Sequence, residues 1–235
     1  MLVPALLGWR YGELDAELRK SFEVALHAGT AAALLIGLRR EVGEALRELD
    51  GDRLLRHALE FLPPALAALA LERTIERRLG SPRGVALAQV VAGALLGAAD
   101  RSGAERSRAD AGALDALAVG LAQAAALAPG VSRNGATLTA ARLLRFERDA
   151  ANQLSRHAAL PIILAAAGLK GWRLARRGMA RDVAAPFAAG ALASFVSTLA
   201  ATRLVQAMDE APSYAPFAAY RVGLGATALV VLRRT

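Results

Sequence analysis

Several stretches of about 17 to 22 residues carry almost no charge, the length over which a helix crosses the hydrocarbon of a bilayer. They constrain this chain more than any other feature and predict an all-α, polytopic membrane protein. Composition agrees. Of 235 residues 55% are hydrophobic, and the mean hydropathy of +0.34 is high for a soluble domain of this size. Alanine carries much of that excess, so a soluble alanine-rich helical bundle is the competing reading.

The first expected span runs from Ser21 to Leu38 and ends at Arg39-Arg40. A connection of alternating charge, Glu41 to Arg56, reads as a solvated helical loop. Ala58 to Leu71 holds Pro63-Pro64, a pair expected to kink its helix. Gly80-Ser81-Pro82 is a turn, and Gly84 to Ala99 is the next span. Gly93 and Gly97 lie four apart in it, a spacing that lets another helix pack closely. After a polar loop, Asp100 to Asp110, come Leu114 to Ala128, then Ala158 to Trp172 with Pro161, Ala184 to Val205 and Pro216 to Leu232. The sum is about six spans plus one hairpin, which takes in Leu114 to Ala128, in a single integral-membrane domain over residues 1–235. Arginines in nearly every loop leave the orientation open. Leu26-His27-Ala28-Gly29 and Arg156-His157-Ala158-Ala159 each precede an alanine-rich segment, a faint sign of an internal repeat.

The net charge is +8, and the lysines are Lys20 and Lys170 alone. Arginine pairs sit at segment ends (Arg39-Arg40, Arg77-Arg78, Arg176-Arg177, Arg233-Arg234), where interfacial anchors belong. Few aromatics accompany them, which argues against nucleic acid as a partner. With no cysteine, disulfides, thiolate catalysis and cysteine metal sites are excluded. Met1 to Lys20 lacks the basic start, long apolar core and cleavage site of a signal peptide.

Pro129-Gly130-Val131-Ser132-Arg133-Asn134-Gly135-Ala136-Thr137 interrupts the apolar pattern. Burying a guanidinium without a partner is costly, so Arg133 calls for an anion. Gly130 and Gly135 let the backbone come close, N–H groups at a helix start attract negative charge, and arginine adds a forked permanent cation. Ser132 and Thr137 can donate to phosphate oxygens, and either can instead cap the helix that follows. Ser132 as a nucleophile would need a base, and none lies within the motif. The following apolar run, Ala136 to Leu144, rises only about 14 Å. A re-entrant hairpin over residues 114–145 is therefore expected, with the motif in a cavity.

Elsewhere Gln123 is polar in mid-segment, a helix–helix partner or a ligand. His57 sits in the charged connection and reads as solvated. His27 and His157 lie near segment starts, where an acid or a packed histidine fits equally. Glu23, four residues before His27, forms either a functional pair or a simple contact. Tyr220-Arg221 in the last span is a second buried-cation signal: Arg221 meets the same anion or an acidic side chain.

The motif resembles the Pro-Gly-x-Ser-Arg-Ser-Gly-x-Thr signature of the undecaprenyl-pyrophosphate phosphatase family of the bacitracin-resistance type. Phe22 to Thr30, Ala122-Gln123 ahead of Pro129-Gly130, and Ser213 to Arg221 with its Pro-Phe-x-x-Tyr-Arg are similar to further segments of that family. The likeness runs from about Leu6 to the end. It implies hydrolysis of a polyprenyl pyrophosphate lipid to the monophosphate and inorganic phosphate, recycling the cell-wall carrier in the bacterial plasma membrane with a divalent cation (Mg or Ca). By position, Ser132, Arg133 and Thr137 would be catalytic, with Gly130, Asn134, Gly135, Gln123 and Arg221 binding substrate. The bilayer is the expected surroundings, and a homodimer a further candidate assembly.

Asn134 stands where the family usually has serine. The family also has an N-terminal motif of two glutamates four apart, then Pro-Val-Ser-Ser and Gly-His, ahead of the part that matches. Those glutamates would take the metal or base role and the histidine the acid role. Glu13 and Glu17 are four apart, but no such segment follows them. Catalysis by this chain is accordingly the conditional expectation, its metal ligands are not identifiable, and the alternative is a non-catalytic lipid-phosphate binder or transporter on the same scaffold.

Overall fold

The computed structural model describes residues 16–37, 39, 43, 47, 50–177, 181–209 and 212–233. Among the described residues the helices are α1 (Ala16–Gly37), α2 (Gly51–Leu79), α3 (Pro82–Ala99), α4 (Ala113–Ala125), α5 (Arg133–Leu143), α6 (Arg148–Arg177), α7 (Arg181–Asp209) and α8 (Ala215–Val231), with a 3-10 turn at Arg108–Asp110. No strand occurs among the described residues, only an isolated bridge between Arg106 and Phe146. The expected helical class holds. Segments at Gly51–Leu71, Pro82–Ala99 and Ala185–Thr202 are long and apolar enough to cross a membrane, while Val24–Gly37, Ala113–Ala125 and Ala215–Val231 are shorter apolar helices.

Boundaries move in instructive ways. The charged residues after Gly51, read as loop, form the first turns of α2, and Pro63-Pro64 lie inside a helix that continues to Leu79. Sequence placed a span start at Ala158, but α6 begins ten residues earlier at Arg148, with Asp149 in its first turn. Both helices carry charged ends past the apolar stretch, as membrane helices do at the water interface.

The chain divides into two compact units. One holds α2 to α5, α8 and α6 up to Ala158; the other holds α1, α6 from Ala159 and α7 up to Met208. In the second unit α1 and α7 meet through small and hydroxyl residues. The Thr30 and Ser194 hydroxyls are 2.7 Å apart, Ser194 donates to the Leu26 carbonyl at 2.8 Å, and a Cβ on Gly29 would run into the Ala191 carbonyl.

In the first unit, the expected close packing at Gly93 and Gly97 is realised against α8, where an added Cβ would meet Arg221 Cβ at 3.0 Å or Ala218 Cβ at 3.2 Å. Gly120 of α4 lies against the α2 backbone at Leu59 and Glu60. Such side-chain-free contacts set helix separation where water drives little association.

Below α5 sits a core of Leu96, Leu138, Ala141, Phe146, Ala150, Ala151 and Tyr214. Polar bonds surround it. Arg106 forms a two-pronged pair with Asp115 (2.9 and 2.7 Å) and lies 4.2 Å over the Phe146 ring. Asp115 in turn accepts from the Gly112 N–H at 2.8 Å and so caps α4. Arg145 takes a left-handed backbone (φ 68°), and its carbonyl accepts from the N–H groups of Glu105 and Arg106. These bonds fix both ends of the segment carrying the motif.

Candidate functional site

Apolar α4 stops at Ala125 because the chain enters successive turns from Ala126 and then Pro129, which lacks an N–H for the helix to use. Gly130 turns the chain with φ +97°, and a Cβ there would run into the Val85 carbonyl. Only glycine satisfies both the dihedral and the close approach to α3. Ser132 then opens α5 as its N-cap, its hydroxyl accepting from the Gly135 N–H at 3.3 Å. The cap uses an acceptor lone pair and leaves the Ser132 O–H able to donate, so capping does not compete with donation to a ligand. The first-turn N–H groups of Arg133 and Asn134 are among those a helix leaves without an internal partner.

Two arginines bear on this turn, Arg133 as the first residue of α5 and Arg221 from α8. Arg221 reaches from α8 and donates through Nη2 to the Gly130 carbonyl at 2.8 Å. Its Nη1 would stand 3.7 Å from a Cβ placed on Gly135. Arg221 Nε and Arg133 Nη1 are buried without a hydrogen-bond partner among the described residues. Neither guanidinium forms a salt bridge to a described carboxylate. Arg221 reaches the N-terminal turn of the helix that Arg133 opens, and buried N–H donors together with a helix N-terminus favour an anion there.

Thr137 is placed differently from Ser132. It is fully buried at 0% exposure. Its one hydroxyl proton faces the carbonyls of Arg133 and Asn134, each at 3.0 Å, and the Ser155 hydroxyl at 2.6 Å. Asn134 Oδ1 accepts from the same Ser155 at 2.6 Å. Gln123 is buried and donates from Nε2 to the Glu60 carbonyl at 3.1 Å, while its Oε1 finds no partner among the described residues. The helix–helix role weighed for Gln123 is thus present.

The histidines divide. His57 is not solvated in a loop: it sits half-buried in α2 with Nδ1 3.1 Å from Glu60 Oε2, one helical turn on. His157 is buried in α6 with Nδ1 3.4 Å from Arg108 Nη2. His27 is exposed on α1 in the other unit. Glu17 and Glu23 belong to α1 but their side chains lie outside the described residues, as does Glu13 altogether.

Sequence reasoning missed Ser155, because a serine inside a helix eighteen residues past Thr137 carries no local mark. It also missed Asp100 as a hub. That carboxylate pairs with Arg148 at 2.7 Å and accepts from the Ser213 hydroxyl and the Tyr214 N–H, each at 2.8 Å. Burial alone would raise its pKa, but the bonds from Arg148, Ser213 and Tyr214 outweigh that and hold it below 3.8.

Apolar helices long enough to cross a bilayer mark a membrane protein, and its relatives give the family. Residues 1–227 match the family described as Bacitracin resistance protein BacA, and the chain belongs to that family. It is 38% identical to the undecaprenyl-diphosphatase of Geobacter sulfurreducens over 99% of this chain and 89% of that protein. The undecaprenyl-diphosphatases of Chromohalobacter salexigens and Campylobacter curvus are each 36% identical over 98% of this chain and 89% of theirs.

Proposed function

We propose that this chain hydrolyses undecaprenyl pyrophosphate to undecaprenyl phosphate and inorganic phosphate, as a multi-pass protein of the bacterial plasma membrane that returns the carrier lipid to cell-wall synthesis. The carrying observation is that Arg221 bonds to Gly130 at the turn leading into α5, which Arg133 opens, while each arginine keeps a buried N–H without a partner among the described residues. A pyrophosphate supplies the charge and acceptors they lack. Family membership and the diphosphatase name shared by the relatives support the reaction. The same relatives give no support to a non-catalytic binder or transporter.

In the reaction, water adds to the terminal phosphorus while the bond from that phosphorus to the bridging oxygen breaks. The bridging oxygen leaves with the lipid phosphate. Negative charge grows on the departing oxygen, and donors fixed beforehand in a water-poor site lower that barrier. Arg133 and the α5 N-terminus hold the phosphoryl oxygens, Ser132 donates its hydroxyl, and Arg221 both braces Gly130 and adds charge. Thr137 acts from behind the turn, its hydroxyl surrounded by protein acceptors.

A divalent cation is implied by the resemblance. Among the described residues no three His, Asp or Glu side chains come together to hold one, and the motif turn is cationic. The described residues therefore do not fit the ion, and no step is drawn through it.

The test is phosphate release from undecaprenyl pyrophosphate by the purified chain in a lipid bilayer. Turnover that survives Arg133→Ala unchanged would sink the assignment. Binding of the lipid without any release, even with added cation, would favour the binder instead.

A further inference from the structure

The turn rests on a residue outside the motif. Ser155 of α6 is 2% exposed, and its hydroxyl lies 2.6 Å from both Asn134 Oδ1 and Thr137 Oγ1. That distance belongs to O–H···O bonds, whereas N–H···O bonds centre near 2.9 to 3.0 Å. The Asn134 carboxamide therefore turns its oxygen to Ser155, which leaves its NH2 directed elsewhere. Asn134 belongs to the first turn of α5, beside Arg133.

Ser155 itself is firmly mounted. One turn before it, Asn152 Oδ1 accepts from the buried Tyr214 hydroxyl at 2.8 Å, and two turns before it Arg148 pairs with Asp100. The chain of contacts thus runs from a packed core, through α6, to the amide next to the site arginine.

We propose that Ser155 is a positioning residue for pyrophosphate recognition: by holding the Asn134 amide oxygen and the Thr137 hydroxyl, it presents the Asn134 NH2 to a phosphate oxygen. This rests on the proposed reading of the turn as a pyrophosphate site. It also accounts for the departure from the family signature. A serine at position 134 is a free rotor that can donate in any direction, but an asparagine amide presents donor or acceptor according to its flip and needs a partner to choose. Residue 134 and residue 155 are therefore expected to be coupled in this chain.

The experiment is a double-mutant cycle on the full chain in bilayers, reading KM and kcat with farnesyl pyrophosphate. Equilibrium binding of the slowly hydrolysed farnesyl thiolodiphosphate is read in parallel. Ser155→Ala should raise KM and weaken binding roughly tenfold or more, the lower end of the worth of one hydrogen bond to a charged group, while kcat changes less than about twofold. In an Asn134→Ser background the same substitution should cost less than about twofold. Ser155→Thr, which keeps the hydroxyl, should restore most of the loss; Ser155→Cys serves if the alanine variant does not fold.

An unchanged KM, or an equal loss in both backgrounds, overturns the proposal, since a purely structural role would lower the active fraction without regard to residue 134. Arg133→Ala separates the two layers. If it leaves thiolodiphosphate binding intact, the pyrophosphate reading itself fails; if it abolishes binding while Ser155→Ala does nothing, only the role of Ser155 falls.

Discussion

Helix α5 carries an arginine at each end, and the two have opposite surroundings. Arg142, in the last turn and 2% exposed, donates to the carbonyls of Phe146, Asp100 and Ser102, with Nε 3.6 Å from Asp100 Oδ1. Arg133, in the first turn, keeps a buried Nη1 with no partner among the described residues. The same side chain on the same eleven-residue helix is a structural tie at one end and an open binding group at the other. Burying a cation is costly, and three carbonyls beside the nearby Asp100 carboxylate account for Arg142, although its Nε has no hydrogen-bond partner among the described residues; on the proposed function Arg133 is instead accounted for by an anion.

The sharpest way to break this contrast is to remove each arginine in turn. Arg142→Ala should destabilise the fold by about 3–5 kcal/mol, because it takes the donor from three carbonyls in a packed region, each unsatisfied acceptor costing about 1–3 kcal/mol. Thermal unfolding in detergent measures it, and turnover per folded molecule should change little. Arg133→Ala should lower phosphate release by roughly a hundredfold or more, the scale of losing a charge-stabilising donor, with a melting temperature equal to or above the parent's. If the two variants exchanged phenotypes, the contrast would be wrong.

A smaller effect is expected at the turn between them. Gly130→Ala combines an unfavourable positive φ with a clash at the Val85 carbonyl and should cost about 1–3 kcal/mol, with loss of activity as the turn shifts. The smallest effect is a dependence on acidity. Asp100 has a folded pKa below its ordinary 3.8, so its contribution is complete above that value and is lost as pH falls through the lowered one. Melting temperature against pH should drop more steeply below about pH 4 in the parent than in Asp100→Asn, the carboxylate range being where such linkage acts.

The paired end and the open end also differ in how far they could be read from sequence. The helical class, the close packing at Gly93 and the grouping of Gly130, Ser132 and Arg133 in one turn were legible, because hydropathy, glycine spacing and the motif are local signals. Arg221 was marked by its place in an apolar helix, but its choice between anion and carboxylate needed the fold. Arg142 and Asp100 carried no local mark, since they lie about forty residues apart in the chain. His57 was misjudged for a related reason: charge density suggested a loop, while Glu60 one turn later and the packing of α2 on α4 made it part of a helix. The six-span count rested on apolar length, and α4, α5 and α8 are short helices whose relation to a bilayer length alone does not give.

The contact between α3 and α8 carries a practical lesson for variant surveys. Arg221 owes its reach to the missing carbon at Gly93, since an added methyl would press on Arg221 Cβ at 3.0 Å and on the Ala218 carbonyl at 3.1 Å. A neighbour so crowded must yield by a few tenths of an ångström, enough to pull a guanidinium off a hydrogen bond. Alanine at position 93 would then silence the enzyme while looking, on any map of conserved chemistry, like a harmless exchange of one small residue for another. Loss-of-function alleles of this kind should cluster on that seam, far along the chain from the motif they disable.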